Sequence, residues 1–470
     1  MPAKELSPIE VYELLPGTNC KECGESNCMS FSVRLVNKEA SLMNCIPLLD
    51  PEKQVEYDKL WKMLKPPIRS VEVGVGDRKV TLGGEYVVYR HEFTYFNQTA
   101  IAIDVSDEMP DEEFKVRINR ANTFSYDYIG MTLYLDMIAI RSISGDPKVF
   151  SDAVSRAVEL SELPIILCTN NPKVMEAGLA ASKRKRPLIY AANRSNWREM
   201  ADLALKYECP IVASSPFDLD TLKSLATSLW EYGIEDIVLD PGTGGPEDIS
   251  TTINNFTMLR QSAISKEDEM LGFPVLGTPI VAWSEKQIDP SINEWNEAVI
   301  ASSLIVRYSD AMIIHATRGW ALLPLVILRQ NIYTDPRKPV SVEPGVQIYG
   351  NPDKNSPVLL TTNFALTFYT VASDIESGAV DCYLIVIDTE GISVESAVAG
   401  RKLTSENISE ALDEYKVSDL VDHRQIIIPG RAARLSGEIE EVSGWKVSVG
   451  PMDSSEIPKY VEGWKPEPKV

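Results

Sequence analysis

Four of the seven cysteines crowd into the first tenth of the chain: Cys20, Cys23, Cys28 and Cys45, spaced C-x2-C-x4-C-x16-C, with Pro47 two residues past the last. Thiolates are soft, strongly donating ligands. Three of them within nine residues can wrap one side of a cuboidal iron–sulfur cluster, and a fourth, returning from the end of an intervening helix, closes the site. The spacing therefore predicts a 4Fe-4S cluster on these four residues. Zinc is the second reading, but its structural sites pair two C-x2-C knuckles or recruit histidines, and neither is near. A disulfide framework needs an oxidising compartment, and MPAKELSPIE at the N-terminus lacks the apolar stretch of an export signal. Cys168, Cys209 and Cys382 stand singly in apolar, strand-like runs and read as core.

Other side chains suited to chemistry gather where β-branched runs end. Asp240 lies in LDPGTGG, Asn170 and Asn171 follow a run ending at Cys168, and Asn193 lies just past another. The DPG loop is similar to that of pterin-binding barrels, and Asp and Asn pair well with a pterin's amino and ring-nitrogen groups. The competing reading is a barrel that serves as scaffold and subunit interface. Near the C-terminus, Thr361, Thr362 and Asn363 finish a run with hydrogen-bonding side chains, and Thr367 follows one turn later. Gly391, Ile392, Ser393 and Val394 make a turn into a helix, while Gly430, Ala433 and Gly450 are small enough to admit a flat ligand close to the backbone. Ordinary strand-to-helix turns with a serine cap at Ser393 remain the plain alternative. His91 and His315 are isolated, and no Ser/His/Asp arrangement can be argued.

The elements that position these residues follow from periodicity. Ser7-Pro8-Ile9-Glu10 is a helix start, and a second helix over Met29–Met43 is expected to pack over the cluster and deliver Cys45. From about 98 to 325, β-branched runs alternate with amphipathic stretches. The eight runs are Ala100–Val105, Leu135–Arg141, Pro164–Cys168, Pro187–Ala191, Pro210–Ala213, Asp236–Leu239, Pro274–Ala282 and Ala311–His315. Eight such repeats predict a (β/α)8 barrel, with 65–95 as an antiparallel lead-in covering its bottom. After a Pro- and Gly-bearing connector, strands at Val358–Thr362, Tyr383–Asp388, Gln425–Ile428 and Lys446–Val449 predict an open parallel sheet, whose ligands sit at the carboxyl ends of its strands. The expected domains are 1–60 for the cluster, 61–333 for the barrel, 334–357 as linker and 358–470 as a Rossmann-like, flavodoxin-like domain.

Composition bounds the partners. A formal charge of -22 over 470 residues argues against nucleic acid, because phosphate contacts need clustered Lys and Arg. The one basic cluster, Lys183-Arg184-Lys185-Arg186, reads as a solvated helix end. The longest apolar run, near Ala321–Leu328, contains Pro324 and is too short for a membrane span. The expectation is a cytoplasmic protein.

The cysteine head, TTNFALTFYT from Thr361, DTEGISVESA from Asp388 and IPGRAARLSGE from Ile428 occur in that order around the barrel pattern. Together they resemble the large (gamma) subunit of the corrinoid iron–sulfur proteins, more closely that of the acetyl-CoA decarbonylase/synthase complexes of methane-producing archaea. The resemblance implies a cluster domain, a barrel and a C-terminal domain holding a corrinoid (cobalamin-type) cofactor over its strand ends. It implies methyl exchange between N5-methyl-tetrahydropterin (tetrahydrosarcinapterin) and cobalt, cycling between Co(I) and methyl-Co(III), with delivery to or from the nickel site of acetyl-CoA synthase. The partners implied are a small (delta) corrinoid-protein subunit in a heterodimer, the acetyl-CoA synthase subunit and the methyl-pterin. The C-terminal domain lacks the D-x-H-x-x-G loop whose histidine ligates cobalt in many corrinoid domains; its one histidine, His423 in VDHRQIIIPG, precedes a strand. A base-off corrinoid without a protein ligand is therefore expected. The rival is an iron–sulfur electron-transfer or scaffold subunit with no corrinoid.

Overall fold

The computed structural model describes residues 6–284 and 289–466; residues 1–5 and 467–470, which fall in the expected terminal domains, lie outside the described residues. The chain divides into two compact units, one of 1–126 with 133–334, the other of 127–132 with 335–470.

The cysteines are carried by short helices with well-defined starts. Helix α1 (Pro8–Tyr12) begins on a reciprocal cap: Ser7 Oγ accepts from the Ile9 amide at 3.2 Å, and the Glu10 carboxylate accepts from the Ser7 amide at 3.1 Å. Helix α2 (Cys28–Val36) starts on Asn27, whose side chain accepts from the Ser30 amide. It stops seven residues short of the expected end, because Lys38 adopts the left-handed conformation (φ 62°). A separate 3-10 turn, Leu42–Asn44, delivers Cys45, and helix α3 (Gln54–Leu64) follows. Val11, Phe31, Leu35, Leu48 and Leu60 form a small core that also buries Cys28 and Cys45. Lys38 fastens this core to the next segment, with Nζ donating to the Leu64 carbonyl at 2.9 Å and lying 4.2 Å from the centre of the Tyr86 ring.

The next residues form the lead-in hairpin, β1 (Ser70–Val73) paired antiparallel with β2 (Val80–Gly83). The barrel strands are β3 (Ala100–Ser106), then, after a small hairpin of β4 (Ser125–Tyr128) and β5 (Met131–Tyr134), β6 (Met137–Arg141), β7 (Ile165–Cys168), β8 (Leu188–Ala192), β9 (Ile211–Ser214), β10 (Ile237–Asp240), β11 (Leu276–Gly277) and β12 (Ala311–Ile314). All eight pair parallel in chain order, β12 returns to β3, and a bridge between Leu239 and Val275 joins the sixth strand to the seventh. Each expected strand is present. The seventh is reduced to two residues, because Thr278-Pro279 turns the chain into a 3-10 segment, Pro279–Trp283, and proline cannot donate to a ladder. Ala100, Ala102, Met137, Ala139, Ile166, Leu188, Val212, Val238, Leu276, Ala311 and Ile313 fill the barrel, with Val71, Val73 and Leu82 of the hairpin packed beneath. Among the described residues no helix is long and apolar enough to cross a membrane.

The second unit holds a five-stranded sheet in the order β13 (Gly345–Tyr349), β15 (Cys382–Ile387), β14 (Val358–Thr362), β16 (Gln425–Ile428), β17 (Lys446–Val449). The strand β13 runs antiparallel along β15, so the stretch expected as a connector carries an edge strand. The amides of Val342 and Ala365 bond to the carbonyls of Asn363 and Val340, which starts the hydrogen-bonded frame near residue 340. His423 is buried before β16, its Nε2 against the Ser356 carbonyl at 2.9 Å and its Nδ1 accepting from the Gln425 amide at 3.2 Å.

At the barrel's amino end, Glu85 is buried with its carboxylate accepting the amides of Phe96 and Asn97. Burial pushes its carboxyl up to about 7, against the attraction of Arg260. The folded protein then binds a proton that the unfolded chain has lost, so stability falls as pH rises from the ordinary glutamate value to about 7. Glu85→Gln, which keeps an oxygen for both amides, is expected to flatten that fall by up to ~3 kcal/mol. Urea unfolding at pH 5 and pH 8 checks this; equal slopes in both proteins mean that Glu85 is ionised throughout.

Candidate functional site

Strand alternation decides what faces the barrel interior. On six of the strands the inward series ends in a polar residue at the carboxyl end: Ala100, Ala102, Asp104; Met137, Ala139, Arg141; Leu188, Tyr190; Val212, Ser214; Val238, Asp240; and Ala311, Ile313, then His315 just past β12. On β7 the series Ile166, Cys168 ends in a thiol. Arg141, Cys168 and Tyr190 are in lateral register, as are Ser214 and Asp240. The barrel mouth is thus a single polar layer above an apolar fill, at the end where barrel ligands bind.

Two buried carboxylates organise that layer. Asp240 Oδ2 accepts from Tyr190 Oη at 2.7 Å and Ser214 Oγ at 3.0 Å, and Oδ1 accepts from the Gly242 amide at 2.9 Å. Burial raises its carboxyl, and burial followed by the Asp240 charge lifts the Tyr190 phenol well above its ordinary value. On the opposite side, Asp104 Oδ1 meets Arg117 Nη2 at 2.7 Å and His315 Nδ1 at 2.6 Å, and Oδ2 meets Arg141 Nη2 at 2.7 Å. Burial opposes its ionisation, but the His315 hydrogen bond and the charges of His315, Arg117 and Arg141 outweigh it and hold the carboxyl low. Glu297 supports the His315 turn by accepting the amides of His315 and Ala316. Trp283 packs edge-on to the imidazole at 4.4 Å between ring centres.

Sequence reasoning singled out Asp240 but missed this network. The structure places Asp240 at the mouth as a buried hub with its oxygens already engaged, not as a free contact. Asn193 turns its side chain onto Ser195, and Asn170 is exposed, with its carbonyl bound by Asn196. His315, read as isolated, has its partner 211 residues away in Asp104. Cys168, read as core, belongs to the mouth layer. The basic run is paired to acids, Lys183 with Glu159, Lys185 with Glu162 and Arg186 with Asp236.

The thiol loop is held by its backbone. Gly17, Asn19, Lys21 and Gly24 all take positive φ, the alternation that turns successive amides to one side and builds anion-binding nests. Asn19 locks the loop to α2: its side chain accepts from the Cys28 amide at 2.9 Å while its own amide approaches Cys28 Sγ at 3.4 Å. Burial raises the Cys45 thiol, against a bond from the Leu48 amide, and the neighbouring Cys28, Cys23 and Cys20 add to the rise. The other three cysteines thus all lie near enough to Cys45 to act on its thiol. Cys28 and Cys45 are buried, Cys23 is half-buried and Cys20 is exposed. Among the described residues no three His, Cys, Asp or Glu side chains converge closely enough to hold a single metal ion.

In the second unit the chain steps from β14 to β15 on one side and returns to β16 on the other. The carboxyl ends of β14 and β16 therefore flank the point where the strand order reverses. The two strands share one register pair, Leu359 with Ile427, and part beyond it. A crevice of about 520 Å³ opens there, lined among others by Thr361, Thr367, Ser393, Val394, Arg431 and Gly450. Thr361 Oγ1 is buried in its wall without a hydrogen-bond partner. Five of the expected contacts thus line one cavity. The other six serve the frame or lie outside the lining. Asn363 takes the amides of Thr389 and Gly391 on its side-chain oxygen and gives its NH2 to Asp388. Gly391 is left-handed (φ 73°) against Pro339. A Cβ on Gly430 would meet the carbonyls of Gly450 and Pro451 within 3 Å, so its smallness serves packing of the β17 turn. Ile392 packs on the core, and Thr362 and Ala433 do not line the crevice. Ser393 makes no capping bond to its six-residue helix. Arg431, which sequence reasoning passed over, lines the wall and pairs with Glu395 at 2.7 Å.

Residues 70–461 match the family model "CO dehydrogenase/acetyl-CoA synthase delta subunit", and residues 15–47 match "Putative Fe-S cluster". The acetyl-CoA decarbonylase/synthase complex subunit gamma of Methanosarcina acetivorans is 44% identical over 466 residues, covering 98% of this chain and 99% of its own. The chain belongs to this gamma-subunit family. The Archaeoglobus fulgidus gamma subunit is 42% identical over 99% of this chain and 100% of its own. A solved dihydropteroate synthase from Thermus thermophilus overlaps 56% of this chain and 100% of its own, at 16% identity and a TM-score of 0.38. The four clustered cysteines of this chain thus lie in the iron–sulfur match and outside the delta-subunit match.

The unpaired Thr361 hydroxyl makes a direct prediction. In cofactor-free protein Thr361→Val removes a buried donor that has no partner, so thermal stability is expected to stay level or to rise, by up to ~1–3 kcal/mol. A clear fall in Tm means that the hydroxyl is already satisfied.

Proposed function

We propose that the chain is a cytoplasmic corrinoid iron–sulfur methyl carrier and methyltransferase component. It exchanges a methyl group with N5-methyl-tetrahydropterin (tetrahydrosarcinapterin) and passes it to or from acetyl-CoA synthase. The observation that carries this reading is the joint presence, in one gamma-family chain, of four cysteines within the iron–sulfur match and a strand-end crevice with an unpaired buried hydroxyl in its wall. Thr361, Thr367, Ser393, Val394 and Gly450 would hold part of a corrinoid, with Arg431 and Glu395 at the rim; a bound corrinoid supplies a cobalt that accepts and donates methyl. The crevice's volume lies in the range of small-molecule sites. His423, with both ring nitrogens engaged, leaves cobalt without a protein ligand from this domain.

Cys20, Cys23, Cys28 and Cys45 would hold a 4Fe-4S cluster, one thiolate to each iron. A cluster spreads its thiolates over separate corners, which suits sulfurs that do not converge on one point. The exposed Cys20 edge gives electrons a way in, and the cluster's part is to return oxidised cobalt to its reactive state. The barrel mouth, with its polar layer of Arg141, Cys168, Tyr190, Ser214 and His315 around Asp240 and Asp104, is the place for the pterin. The delta subunit and the acetyl-CoA synthase subunit are the partner proteins.

Two outcomes test this. Anaerobically purified protein should carry both metals, with iron in about fourfold excess over cobalt, and a corrinoid visible spectrum; iron without cobalt favours the electron-transfer or scaffold reading. Cys23→Ala should remove or convert the cluster while corrinoid content stays at the wild-type level. Methylation from chemically prereduced protein should then survive while reductive reactivation fails. Reactivation at the normal rate without a cluster would show that the relay assignment is wrong.

A further inference from the structure

The barrel mouth contains a histidine whose protonation geometry is determined by its neighbours. Arg117 Nη2 has two protons, and both are placed: one on Asp104 Oδ1 at 2.7 Å and one on the His315 carbonyl at 2.6 Å. The 2.6 Å contact between His315 Nδ1 and Asp104 Oδ1 must therefore take its proton from the imidazole. That assigns Nδ1–H and leaves Nε2 as the nitrogen that gains and loses a proton. The Asp104 side chain is fully buried, whereas the His315 side chain is 23% exposed, so the solvent-facing part of the imidazole is the edge away from Asp104, the edge with Nε2. Among the described residues Nε2 has no hydrogen-bond partner. Two guanidiniums, Arg117 and Arg141, already balance Asp104, so a third cation is not required for charge. The groups facing His315 are Asp104, Arg117 and Arg141, with Glu297 on its backbone amide and the Trp283 ring over its face.

We propose that His315, oriented by Asp104, is the acid–base group of the barrel mouth, giving a proton to N5 of a bound methyl-tetrahydropterin and recovering it in the reverse direction. This rests on the reading that the pterin binds in this barrel. A tertiary amine is a poor leaving group, because breaking its N–CH3 bond leaves a nitrogen anion. With a proton from Nε2–H on the N5 lone pair, the bond breaks with its electron pair returning to nitrogen, and the carbon passes to the two-electron nucleophile supplied by the reduced cofactor. The products are a secondary N5–H pterin and a neutral imidazole. In reverse, neutral Nε2 accepts the N5 proton. Asp104 and Arg117 are positioning residues that hold the tautomer, and Arg141, 34% exposed beside them, shares the mouth.

The chain has three histidines, His91, His315 and His423, so 15N-histidine labelling of this chain alone, reassembled with unlabelled partner subunits, gives a spectrum of few signals. Adding unmethylated tetrahydropterin is expected to shift one imidazole, and that signal should be missing in His315→Asn, whose amide can still donate to Asp104. His315→Asn should bind methyl-pterin within about threefold of wild type. Its methyl transfer to prereduced protein should fall about 100-fold or more, with kcat rather than KM carrying the loss and the decline of rate with rising pH abolished. His315→Gln, which can donate to Asp104 from a different reach, should behave alike if the proton rather than the contact matters. Normal transfer in both variants, or pterin binding that leaves the His315 signal unmoved, overturns the acid–base role while leaving the barrel's pterin site standing. No pterin binding by wild-type protein overturns both, and the titration alone reveals it.

Discussion

Parallel pairing governs where this protein can do chemistry. Parallel strands can be joined only by crossovers, so every strand of a parallel sheet ends on the same side and every connecting loop that follows a strand gathers there. The barrel and the four parallel strands of the C-terminal sheet obey this separately, whereas the edge strand β13 runs the other way. In the barrel the period of two adds a second constraint. The interior must be filled with apolar side chains, so polar residues on inward positions are tolerated at its rim, and there they form one layer from Asp104 round to His315. A fully buried carboxylate costs several kcal/mol unless it is paired. Asp104 is therefore the residue that compels the others: Arg117, Arg141 and His315 converge on it because none of its oxygens can be left alone.

The same argument separates the two carboxylates of the mouth. Asp104 is surrounded by cations and is held ionised; Asp240 is surrounded by hydroxyls and an amide, with burial raising its carboxyl. One side of the mouth thus favours charge and the other neutral hydrogen bonding.

Much of this architecture was legible in the sequence, because the barrel strands are β-branched runs bounded by helical periods and every one of the eight has a counterpart. The exceptions have local causes. Pro279 ends β11 after two residues, and the left-handed Lys38 ends α2 well before Met43. Gly345–Tyr349 was hidden inside a stretch whose Pro and Gly content reads as linker, although its value to the fold is an edge on β15 rather than flexibility. The cysteine spacing is a local signal and needed no fold to be read. The His315 network is not local: its members come from strand ends, helices and a loop, and although Asp104 and Arg117 are 13 residues apart, His315 lies 211 residues from Asp104. It was legible only in the alternation, as the polar residue that closes each inward apolar series.

The C-terminal crevice shows how far position and contact differ. Glycine-bearing loops do follow the strand ends, yet Gly391 and Gly430 are small for the sake of their own backbone neighbours, and Asn363 is consumed in shaping the β15 loop. What opens the crevice is topology: β14 and β16 share a single register pair at the reversal of strand order and then diverge. Thr361 lines that crevice and its buried hydroxyl has no partner, as is also true of Thr362 outside it. Leaving it unpaired costs on the order of 1–3 kcal/mol.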